Sequence, residues 1–177
     1  MPLPEFEPRW PTRREALLPE TRILPSINPL DPWIKRVFCI TKKTQYIVTR
    51  DYFTFVPKYN IWIFIPKNFV YDLASVPRPL TLFFSPSGPW AYGSGPHDFG
   101  YRFGGLIISP APSVPYSFVE MDKSEVDDIF LILSDKSNNL PVLNRLATAT
   151  LRTLGTINYD PRDMASVDWS RPVMRGV

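Results

Sequence analysis

Hydrophobic positions in the middle of the chain follow strand patterns first and helical spacing later. Trp33–Thr41 and Gln45–Arg50 are rich in β-branched and aromatic residues and flank Lys42-Lys43, which predicts a hairpin. Tyr52–Val56 reads as a further strand. Ile61–Ile65 (IWIFI) is a short continuous apolar run, the pattern of a buried strand, and Pro66 closes it. Residues 68–76 continue as strand and then loop. From 77 to 96 Pro, Gly and Ser break up an apolar stretch in which Leu80–Phe84 predicts a short helix. Pro96–Phe103 reads as a second short helix with proline at its first position, ended by Gly104-Gly105. Residues 106–119 read as a second Pro-rich loop.

Two longer helices follow. Lys123–Ser134 places Val126, Ile129, Phe130 and Leu133 on one face, with Asp122 or Ser124 as the cap. Pro141–Leu154 starts on proline, carries a Leu/Ala-rich face and stops at Gly155. Strands first and helices afterwards predict an α+β fold: a small antiparallel β-sheet, a short helix bearing His97-Asp98, and two C-terminal helices.

The chain ends differ. Proline makes up 21 of 177 residues, more than twice the ordinary share of about 5%, and glycine only 8. Eight prolines fall within residues 1–32, so only Thr12–Leu18, with capping-box spacing between Thr12 and Glu15, has room for a short helix. Residues 1–32 and 156–177 are therefore read as extended arms around a domain at 33–155. Phe6, Trp10, Trp169 and Met174 make the arms too apolar for solvated tails. They are expected to lie on a surface, either their own domain's or a neighbour's.

Charge and composition remove several function classes. Net charge is +3, and Glu5, Glu7, Glu15 and Glu20 nearly cancel the basic residues of the first arm, which does not favour nucleic acid. No apolar run reaches the ~18 residues of a membrane span. The first ten residues lack the charged-then-apolar pattern of a signal peptide. Cys39 and His97 are single, which excludes an internal disulfide and any site needing two histidines from one chain.

The candidate chemistry lies in Asp72, Ser75, His97, Asp98, Tyr101 and Asp127. His97 and Tyr101 are four apart and share a face if the segment is helical. Asp127 sits beside the apolar stripe of its helix. Asp72, Asp98 and Asp127 with His97 could ligate a divalent metal such as Mg²⁺, Mn²⁺ or Ca²⁺, for which carboxylates with one imidazole are suited. His97 could act as a general base oriented by a carboxylate. Ser75, His97 and an aspartate could form a nucleophilic triad, although no G-x-S-x-G turn is present. The competing reading is structural: His97 and Asp98 hold loops together through buried hydrogen bonds, and Asp72 and Ser75 close a turn.

Ile65-Pro66-Lys67-Asn68-Phe69-Val70-Tyr71-Asp72-Leu73-Ala74-Ser75-Val76-Pro77-Arg78 resembles the signature of a phage-associated family, the domain of unknown function 1353. The later His97-Asp98-x-x-Tyr101 and Val126-Asp127-x-x-Phe130 resemble its further motifs, and the likeness covers about residues 44–155. Asn68 stands where the family carries glycine and is a residue that tolerates a left-handed backbone. The resemblance implies one polar site where the Asp72 loop, the His97 helix and the Asp127 helix meet. It also implies a place in tailed phages. The expected function is a virion structural component of head, connector or tail, made in the host cytoplasm, whose arms bind other virion proteins or further copies of the chain. The alternative is a metal-assisted hydrolase acting on the host envelope.

Overall fold

The computed structural model describes residues 20–24, 45–72, 90–111, 114–154, 159 and 161–173. Two antiparallel sheets and three helices make an α+β domain. The first sheet joins β1 (Thr21–Leu24), β2 (Gln45–Val48) and β5 (Val70–Asp72) in the order β1-β2-β5. The second joins β3 (Tyr52–Val56), β4 (Ile61–Ile65), β6 (Gly105–Ser109) and β7 (Ser117–Glu120) in chain order. The helices are α1 (Ala91–Phe103), α2 (Lys123–Asn138) and α3 (Pro141–Leu154), and a 3₁₀ turn spans Met164–Ser166.

Local chemistry accounts for most boundaries. Between β3 and β4 the chain turns through Pro57–Asn60, where proline presets one backbone angle and Asn60 takes φ 52°. Asn68 takes φ 69° in the tight turn before β5, the left-handed backbone expected of it. Asp122 caps α2 with a full capping box: its carboxylate accepts from Glu125 N–H at 2.9 Å, and its own N–H donates to the Glu125 carboxylate at 2.8 Å. Gly104 ends α1 at φ 67° and donates its N–H to Gly100 O at 2.8 Å.

Three expectations need correction. Gln45–Val48 is not the second arm of a hairpin with Trp33–Thr41. It lies between β1 and β5, so both its edges are taken, and residues 33–41 lie outside the described residues. The segment read as a Pro-rich loop at 106–119 holds β6 and β7, because Gly105–Ser109 (GLIIS) is a buried apolar run paired on both sides. The helix carrying His97 begins at Ala91, so Pro96 lies inside it. Gly93, Gly95 and Pro96 all disfavour an isolated helix, by about 1 kcal/mol per glycine and ~3 for proline. Packing reverses that local preference. A Cβ on Gly93 would meet Phe130 at 3.0 Å, and one on Gly100 would meet Val126 Cγ1 at 2.7 Å. The glycines let α1 press against α2.

One core lies between these layers. Phe53, Ile63 and Phe64 of the second sheet, Tyr71 of the first, Phe99 and Phe103 of α1, and Ile129 and Leu133 of α2 share it. Each fully buried side chain of this size contributes about 1.5–3 kcal/mol. A smaller cluster of Trp90, Phe130, Ala147 and Leu151 attaches α3. There Trp90 Nε1–H donates to Asn144 at 2.7 Å, and Asn138 and Asn144 exchange amide hydrogen bonds.

The described part of the C-terminal segment returns to this core. Met164 is buried, and Val167, Trp169 and Val173 pack against the main cluster. Val173 bridges Phe69 in parallel, with Val173 N–H donating to Asn68 O at 2.9 Å. Asn68 Nδ2–H donates to Trp169 O at 2.9 Å, and the Arg102 guanidinium donates to Val173 O at 2.8 Å. Of the two surfaces open to this segment in the sequence, the described residues lie on their own domain. The expected helices Thr12–Leu18 and Leu80–Phe84, together with Phe6, Trp10, Cys39, Ser75 and Met174, lie outside the described residues.

The α1–α2 contact yields a test. Gly100→Ala would gain about 1 kcal/mol of helix propensity but overpack against rigid Val126 by about 1–3 kcal/mol. Net destabilisation in urea unfolding is expected. Gly100→Ala combined with Val126→Ala should be less destabilised than the sum of the single changes, since each relieves the other. A stabilised Gly100→Ala variant would show that the contact is not tight.

Candidate functional site

The residues singled out in α1 and α2 converge on one carboxylate. Asp127 is fully buried, and α2 carries it on the face turned to α1. Its Oδ1 accepts from the Tyr101 hydroxyl at 2.7 Å and faces His97 Nε2 at 3.1 Å. Its Oδ2 accepts from Lys123 Nζ at 2.9 Å. On the far side of the imidazole, His97 Nδ1 faces Asp98 Oδ1 at 3.3 Å. The His97 and Tyr101 rings lie 4.1 Å apart at their centroids, and Phe130 meets the imidazole edge-on at 5.4 Å.

The electrostatics follow from this geometry. Burial by itself pushes His97 down, but the hydrogen bonds to Asp127 and Asp98 outweigh it and hold the imidazole above its ordinary value. Burial by itself pushes Asp127 up, yet the hydrogen bonds from His97, Tyr101 and Lys123 win and hold its carboxyl below the usual carboxylate range. Burial, with the Asp127 hydrogen bond, raises the Tyr101 phenol, which stays a neutral donor. Imidazole donates from both nitrogens only when protonated. His97 thus stands between the Asp98 and Asp127 side chains, and Lys123 meets the second oxygen of Asp127. Such pairing is what a buried charge requires.

Lys123 was missing from the sequence-based candidates. Its signal was present as the i, i+4 spacing to Asp127 on one helix. It also donates to Leu151 O at 3.0 Å and Arg152 O at 3.1 Å, carbonyls at the C-terminal end of α3. A cation there complements the helix dipole. Arg152 in turn pairs with Asp128. One lysine thus connects the Asp127 centre to the last turn of α3.

Asp72 closes β5 opposite Gln45 and is placed by its backbone alone. Ser75 lies outside the described residues. Trp169 is half-buried beside Phe99 and Phe103, with ring centroids 6.2 and 5.8 Å away. Asp127 faces three donors, and His97 has a carboxylate at each nitrogen. Among the described residues, no group of three or more His, Cys, Asp or Glu could hold one ion together. Nor is any helix among them long and apolar enough to cross a membrane.

Removing one partner of a buried charge strands the others, at about 3–5 kcal/mol. Asp127→Ala is therefore expected to lower unfolding stability by that amount in chemical denaturation. A loss under about 1 kcal/mol would mean that the site is hydrated.

The pH dependence has two limbs. The raised His97 stabilises fully below its ordinary value of about 6.5 and loses that contribution as pH rises through its folded value. The lowered Asp127 stabilises above about 3.9 and loses its contribution as pH falls through its folded value. Stability should therefore peak between these limits. The single histidine should titrate by NMR with a midpoint above about 6.5. A midpoint below that value would show that burial outweighs the two neighbouring carboxylates.

The chain matches the model of a protein family described as "Protein of unknown function (DUF1353)" over residues 46–147. No curated protein and no solved structure matches it. The matched stretch runs from β2 into α3, holds every side chain of the Asp127 centre and exceeds half of the 177 residues, and so the chain belongs to the DUF1353 family of proteins of unknown function.

Proposed function

We propose that this protein is a structural subunit of a tailed-phage particle, in head, connector or tail, rather than a catalyst. The observation that carries the proposal is the outer face of α3. Val142 is 77% exposed and Leu146 55%, and Leu140 and Leu143 lie exposed beside them. An uncovered apolar helix face of this kind is characteristic of a surface that another protein covers. The phage setting rests on the resemblance of the Asp72 loop and the His97-Asp98 helix described above. The location that follows is the virion, after synthesis in the host cytoplasm.

The Asp127 centre supports the same reading. His97, Tyr101 and Asp127 are used in holding α1 against α2, and Lys123 ties in α3. Arms that reach neighbouring subunits are carried by the composition of residues 1–19, where Phe6 and Trp10 stand among prolines. Proline lowers the entropy lost when such a segment is ordered on a partner. A hydrolase using Asp98, His97 and Asp127 finds less support, because both imidazole nitrogens face carboxylates.

Quantitative mass spectrometry of purified particles tests the proposal. The chain is expected there at a fixed copy number. Val142→Glu combined with Leu146→Glu should leave the melting transition within about 0.5 kcal/mol of the parent, as exposed substitutions do, yet keep the chain out of particles. A chain present in infected cells but absent from purified particles would remove the proposal.

A further inference from the structure

The solvent side of α3 is apolar along its whole length. Val142, Leu146, Ala149 and Thr153 follow one another at spacings of four, three and four residues, and all stand exposed. That spacing makes a straight seam on a helix. Leu143 and Thr150 border the seam on one side, Arg145 and Arg152 on the other. The threonines do not interrupt it. Thr150 Oγ1–H donates to Leu146 O at 2.9 Å, and Thr153 Oγ1–H donates to Ala149 O at 3.1 Å. Each hydroxyl is thus engaged within the helix, and the methyl is what remains for a neighbour.

The seam changes height as it runs. Val142, Leu143 and Leu146 stand high in its first half, and Ala149 and the threonine methyls lie low in its second. The helix has 14 residues and is about 21 Å long. A straight apolar seam of this length fits one further helix, laid along it at the shallow crossing angle of bundle packing.

Charge decides which helix. α3 has no acidic residue. Asp128 and Asp135 of α2 touch it, but Asp128 pairs with Arg152, and Asp135 accepts from Asn144 Nδ2–H at 2.6 Å. Arg145 is exposed and has no acidic partner among the described residues. A second copy of α3 brings it none, and in an antiparallel pair the two-fold axis sets the arginines of both copies along one rim. A lipid surface favours basic flanks, but Ala149 and the threonine methyls are too short to enter it, and no aromatic residue stands on the seam. We propose that the outer face of α3 holds a single amphipathic helix of another protein, which brings an apolar seam of its own and carboxylates along the side that meets Arg145 and Arg152. This rests on the reading of that face as one another protein covers, and adds the chemistry of the partner. Val142, Leu143 and Leu146 are the apolar anchors, and Arg145 selects the acidic flank.

The test titrates the isotopically labelled full chain with two synthetic helices of about four turns. Both carry leucines at the four-three-four spacing; one has glutamates along one flank and the other lysines. Backbone NMR shifts are expected to centre on residues 142–153, with the glutamate helix binding roughly tenfold tighter, the size of two rim charge pairs reversed. The gap should narrow in high salt. Arg145→Glu should reverse the order of the two helices. Leu146→Glu should remove both interactions and leave the melting transition in place. Equal binding of the two helices overturns the acidic flank. Shifts centred elsewhere, or no binding at millimolar peptide by a chain found in particles, overturn this inference alone. Self-association that Val142→Glu abolishes, or partition onto anionic phospholipid vesicles, gives the face a different occupant and overturns it as well. A chain that binds the glutamate helix but is absent from purified particles keeps this inference and removes the particle reading.

Discussion

The carboxylate of Asp127 imposes the main constraint on this fold. It has no contact with water, so its charge must be met by hydrogen bonds from the protein. Those partners come from two helices that do not adjoin in sequence: His97 and Tyr101 from α1, and Lys123 from α2 itself. They can reach it only if α1 and α2 approach closely and in one register. Gly93 and Gly100 permit the approach, since a side chain at either would collide with Phe130 or Val126. The glycines and these hydrogen bonds are thus two halves of one requirement. Lys123 extends it to α3 by also binding the last carbonyls of that helix.

This explains why the most recognisable residues sit where they do. His97 and Tyr101 on one side, and Val126, Asp127 and Phe130 on the other, are the touching faces of two helices. A histidine beside two aspartates suggests acid–base chemistry when read as a string. In place, its two nitrogens each face a carboxylate.

Much of the domain was legible from the chain. β3 and β4, the whole of α3, a cap at Asp122 (one of two residues the sequence offered) and the stop at Gly104 follow local rules that act over a few residues. The inward orientation of Asp127 also followed from its place beside an apolar stripe. The failures share a physical cause. The first turn of α1 contradicts its own propensity and exists because α2 is there to pack against. β6 is a five-residue apolar run set between glycines and prolines, and only its pairing with β4 and β7 reveals it as a strand. The place of Trp169 depends on Asn68 and Val173, one of them about a hundred residues away, and no local window contains that information.

The return of the C-terminal segment bears on how the protein is made. Met164 completes the core, and residues 68–70 find one of their backbone partners only in Val173. During synthesis β2, β5 and α1 emerge from the ribosome well before that partner exists. A nascent chain lacking residues 161–173 has Phe99, Phe103 and Arg102 without their cover. The cover that Met164, Trp169 and Val173 give the core is therefore the last part of the described domain to be synthesised.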